Sequence, residues 1–269
     1  MITCKTFQEY LVYFLEKFSY SVKNYNYPIN DCSELEALID DYSTFITSES
    51  NKEIWEQLEK HGSSDFEQLL ADLRKRSALC VAIVEKQRAW KLLNGQAGTS
   101  DYFKNIESCI KEEFGGFQVY PESKVLLIGS GSFPMTPLLI AKQTGAEVVG
   151  IDIDDEAIKI GSDVIERLGK GLKIKLENTL VEDLDFSKEA THIIFSSTVE
   201  KKYELLDQLY TLTNEQVVVA MRYGDRLKSL FNYPSKKTDE RKWKMVGNVL
   251  RPEHVFDIAL YKKEQLACY

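Results

Sequence analysis

Residues that commonly bind metals or form disulfide bonds are scarce in this sequence. The three histidines lie far apart, and the five cysteines are an odd number with no C-x-x-C pair. A disulfide-stabilised secreted fold and a clustered zinc site are therefore not expected. We predict reduced, partly buried thiols in a cytoplasmic protein that has no metal ligands.

Long apolar runs and basic clusters are also missing. No stretch approaches the roughly 18 to 20 apolar residues that a membrane helix needs, and the N-terminus lacks the basic start and the continuous apolar core of a signal peptide. The net charge of the 269-residue chain is -8, whereas nucleic-acid binding needs a basic surface. The sequence therefore disfavours membrane and nucleic-acid partners, while a hydrophobic content of 43% is sufficient for a globular core.

The first 118 residues follow a helical hydrophobic pattern. One apolar stripe recurs at i, i+3, i+4 and i+7, which predicts a helix that Asp31 or Ser33 can cap. The stripe consists of Leu35, Leu38, Ile39, Tyr42, Phe45 and Ile46.

Two more helices are predicted in this half. The second opens with a capping box at Ser64 and reaches Asn94 without glycine or proline, and Gly95 is its natural C-cap. The third starts near residue 100 and stops at Gly115. The sequence therefore predicts an all-helical domain over residues 1–118.

After residue 118, short β-rich runs alternate with helical stretches. Continuous apolar runs between helices are typical of a parallel sheet that is covered on both faces. The last two runs have no helix between them, which predicts an antiparallel end to the sheet. The predicted strands are 124–128, 147–151, 173–176, 192–195, 216–221, 243–250 and 254–261. This is the α/β pattern of a Rossmann-like domain of the class I methyltransferase type over 119–269, with the helical domain before it.

The most informative motif is a glycine-rich turn between a strand and a predicted helix. Gly129 and Gly131 follow the first strand, and Asp152 ends the next strand 21 residues after Gly131. Glycines let the backbone approach a ligand closely, and a carboxylate at this position can accept both ribose hydroxyls of a nucleoside. We predict a nucleoside cofactor. The candidate binding residues are Gly129, Ser130, Gly131, Ser132, Pro134, Asp152, Ile153 and Ser196.

The same motif favours S-adenosylmethionine (SAM) over NAD. NAD needs its pyrophosphate at the helix N-terminus and a third glycine, but Pro134 stands at that position and Phe133 is bulky. An acidic protein can also accommodate the sulfonium of SAM. The usual Asp or Asn beside adenine falls near Leu180, so we expect backbone groups and Ile153 to hold the adenine.

Several segments spread over the chain are similar to one family. The most specific are 92–97, with the sequence LLNGQA, and 232–234, with the sequence NYP. The other matching segments are 40–43, 102–107, 129–136, 192–198, 219–225 and 256–263. On these residues the chain resembles the bacterial nicotianamine-synthase-like enzymes of opine metallophore biosynthesis, and within them the staphylopine-type branch.

The resemblance implies an unusual use of SAM. In this family an acceptor amine attacks the γ-carbon of the methionine part, the 2-aminobutanoate moiety is transferred, and 5′-methylthioadenosine leaves. The implied acceptor is histidine. The staphylopine-type branch favours D-histidine, while relatives in other bacteria use L-histidine. Because the carbons around the sulfonium share one leaving centre, the choice among them must be positional.

Two residues are candidates for the chemistry. Glu85 interrupts the apolar run 80–84, and the resemblance implies a functional glutamate in this region. We predict that it is the base that deprotonates the acceptor, although its neighbours Lys86 and Arg88 are also consistent with the solvent side of a helix. Tyr102 matches a family tyrosine near the reacting centre and is predicted to orient the amine or the SAM tail.

Four residues are candidates for substrate binding. Ser197, Arg222 and Tyr223 follow predicted strands, where ligands gather in open α/β sheets. Arg222 can form a bidentate pair with a substrate carboxylate, or a surface ion pair with Asp225. Tyr42 is a candidate for the acceptor pocket but also fits the core stripe of its helix.

Three other functions remain open on the sequence alone. The first is a small-molecule N-methyltransferase, which uses the same fold and cofactor. The second is a nicotinamide-dependent oxidoreductase, and the third is a SAM-binding module without catalysis. The helical domain favours the aminobutanoyltransferase, because it is expected to form a lid and half of the acceptor pocket. It is also a possible homodimer interface.

Overall fold

The computed structural model describes residues 4–25, 31–59, 63–96 and 113–264. Four helices come first in this part of the chain. They are α1 (Cys4–Asn24), α2 (Ser33–Thr47), α3 (Glu49–Glu59) and α4 (Ser64–Leu93). No helix in these ranges is both long and apolar enough to cross a membrane.

A mixed sheet follows the helices. Within the described ranges its strands are β1 (Lys124–Ile128), β2 (Glu147–Ile151), β3 (Ile174–Glu177), β4 (His192–Phe195), β5 (Val218–Tyr223), β6 (Trp243–Val249) and β7 (Asp257–Lys263). The helices between them are α5 (Met135–Thr144), α6 (Asp155–Leu168), α7 (Phe186–Glu189) and α8 (Lys202–Leu212), and a 3-10 helix covers Arg226–Leu230.

The strand order is β3-β2-β1-β4-β5-β7-β6. Strands β1 to β5 are parallel, and β7 is antiparallel to both β5 and β6. The predicted Rossmann-like class I methyltransferase fold with N-terminal helices is therefore confirmed. The order reverses between β1 and β4, and this is the position where open α/β sheets bind their ligands.

Two buried clusters cover the two faces of the sheet. One joins α1, α2 and α4 to residues such as Leu127 and Ala220. The other packs α8 against residues such as Ile128 and Met221. Because side chains alternate along a strand, neighbouring residues point to opposite faces. The N-terminal helices therefore share a core with one face of the sheet.

The apolar stripe predicted for α2 packs into the core, with Leu38 and Phe45 partly buried, but neither predicted cap is used. The N-cap is Cys32, and it makes no side-chain capping hydrogen bond. The hydroxyl of Ser33 donates instead to the Asp31 carboxylate at 2.6 Å. The two polar side chains therefore pair with each other rather than with the helix backbone.

The long helix α4 agrees with its prediction to within one residue. Its N-cap is Ser63, whose hydroxyl accepts a hydrogen bond from Phe66 N, so the predicted capping box at Ser64 is shifted by one. Gly95 follows the C-cap with φ 76°. The third predicted helix lies outside the described residues, except for its end at Gly115, which has φ 54°.

Local turns shift two strands from their predicted limits. The Asn214 side chain accepts a hydrogen bond from Gln216 N, and this turn delays the start of β5 to Val218. A turn between Arg251 and His254 similarly delays β7 to Asp257.

Candidate functional site

A cavity opens at the C-terminal ends of β1 and β4, beside α4. Glu85 forms part of one wall, and the glycine-rich turn and the segment after β4 form others. Six of the residues predicted from the sequence line this cavity, namely Glu85, Gly129, Ser130, Ser196, Ser197 and Arg222. The fold therefore brings together candidates that are up to 137 positions apart in the sequence, from Glu85 to Arg222.

The glycine-rich turn has a shape that only glycine permits. Gly129 and Gly131 have φ values of 84° and 65°, a region that other residues rarely adopt. A β-carbon on Gly129 would lie 2.8 Å from Val199 Cγ2, and one on Gly131 would overlap the Glu85 carboxylate. Both positions therefore require glycine, and at Gly131 the Glu85 carboxylate takes the space of a side chain.

Two hydroxyls beside this turn are buried. Ser130 and Ser132 are buried, with 7% and 1% exposure. Within the described part of the chain neither hydroxyl has a hydrogen-bond partner. Buried polar groups normally have partners, and Ser130, which lines the cavity, can find one in a polar ligand at this position.

The acid at the end of β2 is tied to the same turn. One carboxylate oxygen of Asp152 accepts from Gly131 N at 2.9 Å, and the other accepts from Asp154 N at 3.1 Å. Beyond it, the side chain of Ile153 is 84% exposed and that of Leu180 is 49% exposed. Exposed apolar side chains at strand ends are suited to a flat aromatic ligand.

Lys86 connects α4 to the segment after β2. Its ammonium contacts Asp154 at 3.0 Å and Glu156 at 2.5 Å. Asp154 is also the N-cap of α6, where its side chain accepts from two backbone N–H groups. The helix that carries Glu85 is thereby fixed to the segment that carries Asp152.

Glu85 faces the cavity and not the solvent side of α4. Burial and the neighbouring charge of Asp152 raise its pKa to about 8, although a hydrogen bond from Ser132 N and the nearby Arg88 act in the opposite direction. A carboxyl group whose pKa lies near neutrality can exchange protons with a substrate. Within the described residues, Glu85 is therefore our candidate base.

Arg222 forms a buried ion pair that the sequence did not predict. Its Nε and Nη2 donate to the two Glu113 oxygens at 2.9 and 2.7 Å, and Nη2 also donates to Thr136 at 3.3 Å. Its guanidinium lies 5.1 Å from the centre of the Phe256 ring. The predicted alternative partner, Asp225, accepts instead from the backbone and hydroxyl of Ser235. The bidentate face of Arg222 is thus engaged by Glu113.

Two predicted substrate-binding tyrosines do not line the cavity. Tyr42 is fully buried, and its hydroxyl donates to Leu230 O at 2.9 Å. Tyr223 packs in the cluster on the other face of the sheet and donates to Asn248 at 3.0 Å. Both predictions are corrected, because these rings are packed in the core and their hydroxyls already donate to protein oxygens. Tyr102 lies outside the described residues.

Pro134, His192 and His254 have structural positions, while His61 lies outside the described residues. Pro134 is the N-cap of α5. His192 packs edge-on against Phe114, and burial lowers its pKa to about 4. His254 contacts the Arg251 guanidinium at 3.1 Å. Among the described residues, no group of three His, Cys, Asp or Glu side chains could hold a metal ion.

Comparison with solved structures identifies the class of fold. No protein-family model matches the chain. The structure is similar to the nicotianamine synthase MtNAS in complex with MTA and tNA, with a TM-score of 0.77, 16% identity, and coverage of 96% of this chain and 98% of that chain. A glutamate-to-glutamine mutant of MtNAS in complex with S-adenosylmethionine gives a TM-score of 0.72 at 15% identity, with coverage of 94% and 98%. The chain has the nicotianamine synthase fold.

The sequence comparison points to particular relatives within this class. An L-histidine 2-aminobutanoyltransferase from Pseudomonas aeruginosa (strain UCBPP-PA14) is 27% identical over 175 residues, which are 64% of this chain and 66% of the relative. One from Yersinia pestis is 32% identical over 165 residues, 61% of this chain and 62% of the relative. The matches span slightly less than two thirds of these relatives. The resemblance inferred from the sequence motifs is confirmed.

Proposed function

We propose that this protein transfers the 2-aminobutanoate moiety of SAM to the amine of histidine and releases 5′-methylthioadenosine. The observation that carries the proposal is the position of Glu85, a carboxyl group of raised pKa directly over the glycine-rich turn. The sequence relatives named for this reaction and the nicotianamine synthase fold support the proposal.

The described residues fit the donor. Gly129 and Ser130 line the cavity at the end of β1, Asp152 is hydrogen-bonded to the same turn, and the hydroxyls of Ser130 and Ser132 lack other partners in the described ranges. When bound, SAM supplies an electrophilic carbon next to a sulfonium leaving group. Two carboxyl groups beside the turn favour such a cation.

Glu85 would receive the proton of the acceptor ammonium. An amine must be deprotonated before it can attack carbon, and a base is most effective when its pKa lies near the working pH. A bound cation next to Glu85 stabilises the ionised carboxylate. Donor binding therefore converts Glu85 to the form that can accept a proton. Tyr102 stays a proposal from the resemblance, as a residue that orients the amine or the SAM tail.

The acceptor would lie on the β4 and β5 side of the nucleoside. Ser197 and Arg222, which Glu113 holds from behind, line the cavity there, and Val81 and Glu85 of α4 also line it. We propose that residues 1–118 act as the helical domain that covers the donor and shapes the acceptor pocket. We also propose a cytoplasmic site of action, a possible homodimer, and a product that enters a staphylopine-like metallophore.

The experiment is to identify the nucleoside product by mass spectrometry. The purified protein is incubated with SAM and either D- or L-histidine. We expect 5′-methylthioadenosine and a histidine that has gained an aminobutanoate unit. The faster enantiomer identifies the acceptor, since the motif resemblance favours D-histidine and the relatives are named for L-histidine.

Other outcomes would reject the proposal and select an alternative. S-adenosylhomocysteine with a methylated amine would identify an N-methyltransferase. SAM binding without turnover across a panel of amino acids would identify a binding module. Thermal stabilisation by NAD but not by SAM would identify a nicotinamide-dependent protein.

A further inference from the structure

Lys202, the first residue of α8, is a fully buried lysine next to the site. Its side chain has 0% exposure. Its ammonium donates to Ser197 O at 3.0 Å and to Arg222 O at 2.7 Å, and no carboxylate in the described residues pairs with it. A buried cation without a carboxylate partner is costly, so its position calls for an explanation.

The two carbonyls lie where the sheet opens. The ladder between β4 and β5 ends at the pair Phe195 and Met221. Ser197 and Arg222 lie just beyond this pair, where the two strands no longer hydrogen-bond to each other, and both line the cavity. The Lys202 ammonium bridges the gap and connects the ends of the strands.

Tyr233 supports the same arrangement. Its backbone N–H donates to Ser197 O at 3.3 Å, and its carbonyl accepts from Gly224 N at 3.1 Å. Its ring lies 6.0 Å from the Lys202 ammonium and 5.3 Å from the guanidinium of Arg74 on α4. The carbonyl of Ser197 is thus fixed from two directions.

We propose that Lys202 is a positioning residue for the acceptor side of the site. It sets the spacing between Ser197 and Arg222 without touching a ligand, because its own side chain is fully enclosed. The glycine-rich turn and Asp152, which would hold the nucleoside, are not bonded to it. The part of the inference that names the acceptor rests on the proposed function.

The two hydrogen bonds that Lys202 donates to the carbonyls do not require the positive charge of its side chain. Burial, together with the nearby Arg74, lowers the pKa of Lys202 to about 7. A neutral amine still has two N–H groups, one for each carbonyl. Removal of the nitrogen, rather than a change of pH, is therefore the informative test.

The chain offers a matched control. Lys263 is also buried, with 6% exposure, and its ammonium donates to a carbonyl, Thr213 O, at 2.5 Å, although it also lies 3.5 Å from the exposed carboxylate of Glu215. That carbonyl follows α8, and neither Lys263 nor Thr213 lines the cavity. Lys263→Met removes a comparable buried hydrogen bond from an ammonium to a carbonyl, away from the cavity.

The experiment compares Lys202→Met with Lys263→Met. We expect both to lower the melting temperature. In Lys202→Met the KM for histidine should rise by about tenfold to a hundredfold, the range expected for a displaced binding group. The dissociation constant for SAM, measured by calorimetry, should stay within about twofold of the wild-type value. Lys263→Met should leave both constants unchanged.

A crystal structure of Lys202→Met gives a second readout that does not depend on the reaction. The distance between Ser197 O and Arg222 O should increase relative to the wild type. Lys202→Gln, whose shorter amide keeps N–H donors, is the variant to use if Lys202→Met does not fold, and it should show a smaller rise in KM.

The proposal is overturned by an unchanged distance between the two carbonyl oxygens, or by an equal rise in KM in Lys263→Met. Failure of both Lys202 variants to fold also overturns it, because Lys202 would then serve the fold itself. If the wild-type protein transfers no aminobutanoate, the proposed function fails, and the carbonyl distance still decides the positioning role.

Discussion

The carboxylate of Glu85 occupies the space that a side chain at Gly131 would need. A methyl group added to Gly131 would overlap Glu85 Oε2 and lie 3.2 Å from Glu85 Cδ. One residue comes from the helices and the other from the turn after β1. The candidate base and the glycine-rich turn are therefore packed directly against each other. The position of the Glu85 carboxylate requires glycine at residue 131.

Gly131→Ala should disrupt this unit. Alanine at φ 65° is strained, by roughly 1–2 kcal/mol for a left-handed residue, and its methyl group would displace Glu85. We expect SAM affinity to fall by more than about tenfold, which corresponds to about 1.4 kcal/mol. Calorimetric titration with SAM measures the effect.

Gly171→Ala is the control for backbone strain. Gly171 also has a positive φ, 84°, but a β-carbon there would meet nothing within 4 Å. It should lose stability and keep SAM affinity. An equal loss of affinity in both variants would show that strain alone, and not the contact with Glu85, explains the result.

Glu85→Gln should separate binding from turnover. The amide keeps the shape of the side chain but cannot accept the proton of an ammonium. We expect SAM still to bind, more weakly because the carboxylate charge is lost, while kcat falls by the order of 10²–10⁴-fold, as for loss of a general base. Glu67→Gln, at an exposed position of the same helix, should have normal kinetics. Normal turnover in Glu85→Gln would remove Glu85 from the mechanism.

The raised pKa of Glu85 predicts a pH-dependent loss of stability. In the folded protein the group binds its proton up to about pH 8, against 4.5 for an ordinary glutamate. The folded state therefore holds more protons than the unfolded state between these values, so its stability decreases as the pH rises through this window. The cause is mainly burial of the carboxylate, followed by the charge of Asp152.

Thermal unfolding of the wild type and of Glu85→Gln between pH 5 and pH 8.5 measures this effect. Glutamine does not titrate, so the variant should become progressively more stable than the wild type as the pH rises. A difference in melting temperature that is constant across this range would contradict the raised pKa.

Local sequence patterns were sufficient to predict most of the fold and part of the site. The apolar stripe of α2, the limits of α4 and the strand–turn–helix around Gly129 depend on near neighbours in the chain. Glu85 could be selected because a charged residue in the otherwise apolar segment 80–85 is unusual. The alternation of side chains along a strand could also have excluded Tyr223. A strand that points Arg222 toward the cavity points the next residue, Tyr223, to the opposite face.

The remaining parts of the site depend on contacts between distant residues. Glu113 and Arg222 are separated by 109 positions, and Lys202 reaches a carbonyl 20 positions away. No periodicity or motif marks such partners, because buried ion pairs and ammonium–carbonyl ties are decided by tertiary packing. Arg222 could be selected from its position after a strand, but its partner Glu113 and the buried Lys202 could not be predicted from the sequence.

Tyr42→Phe distinguishes a core residue from a substrate-binding one. The Tyr42 ring packs against Phe14, Phe18 and Phe231, with ring centres 4.8 to 5.5 Å apart. Its hydroxyl donates to Leu230 O, at the end of the 3-10 helix. Phenylalanine keeps the packing but leaves this buried carbonyl without its donor, which costs about 1–3 kcal/mol. We expect a lower melting temperature with unchanged KM for histidine and unchanged affinity for SAM.

Tyr13→Phe, at an exposed position of α1, should alter neither property. A rise in KM without a loss of stability would return Tyr42 to the acceptor pocket, because only a hydroxyl that contacts the substrate would affect binding and leave the core intact.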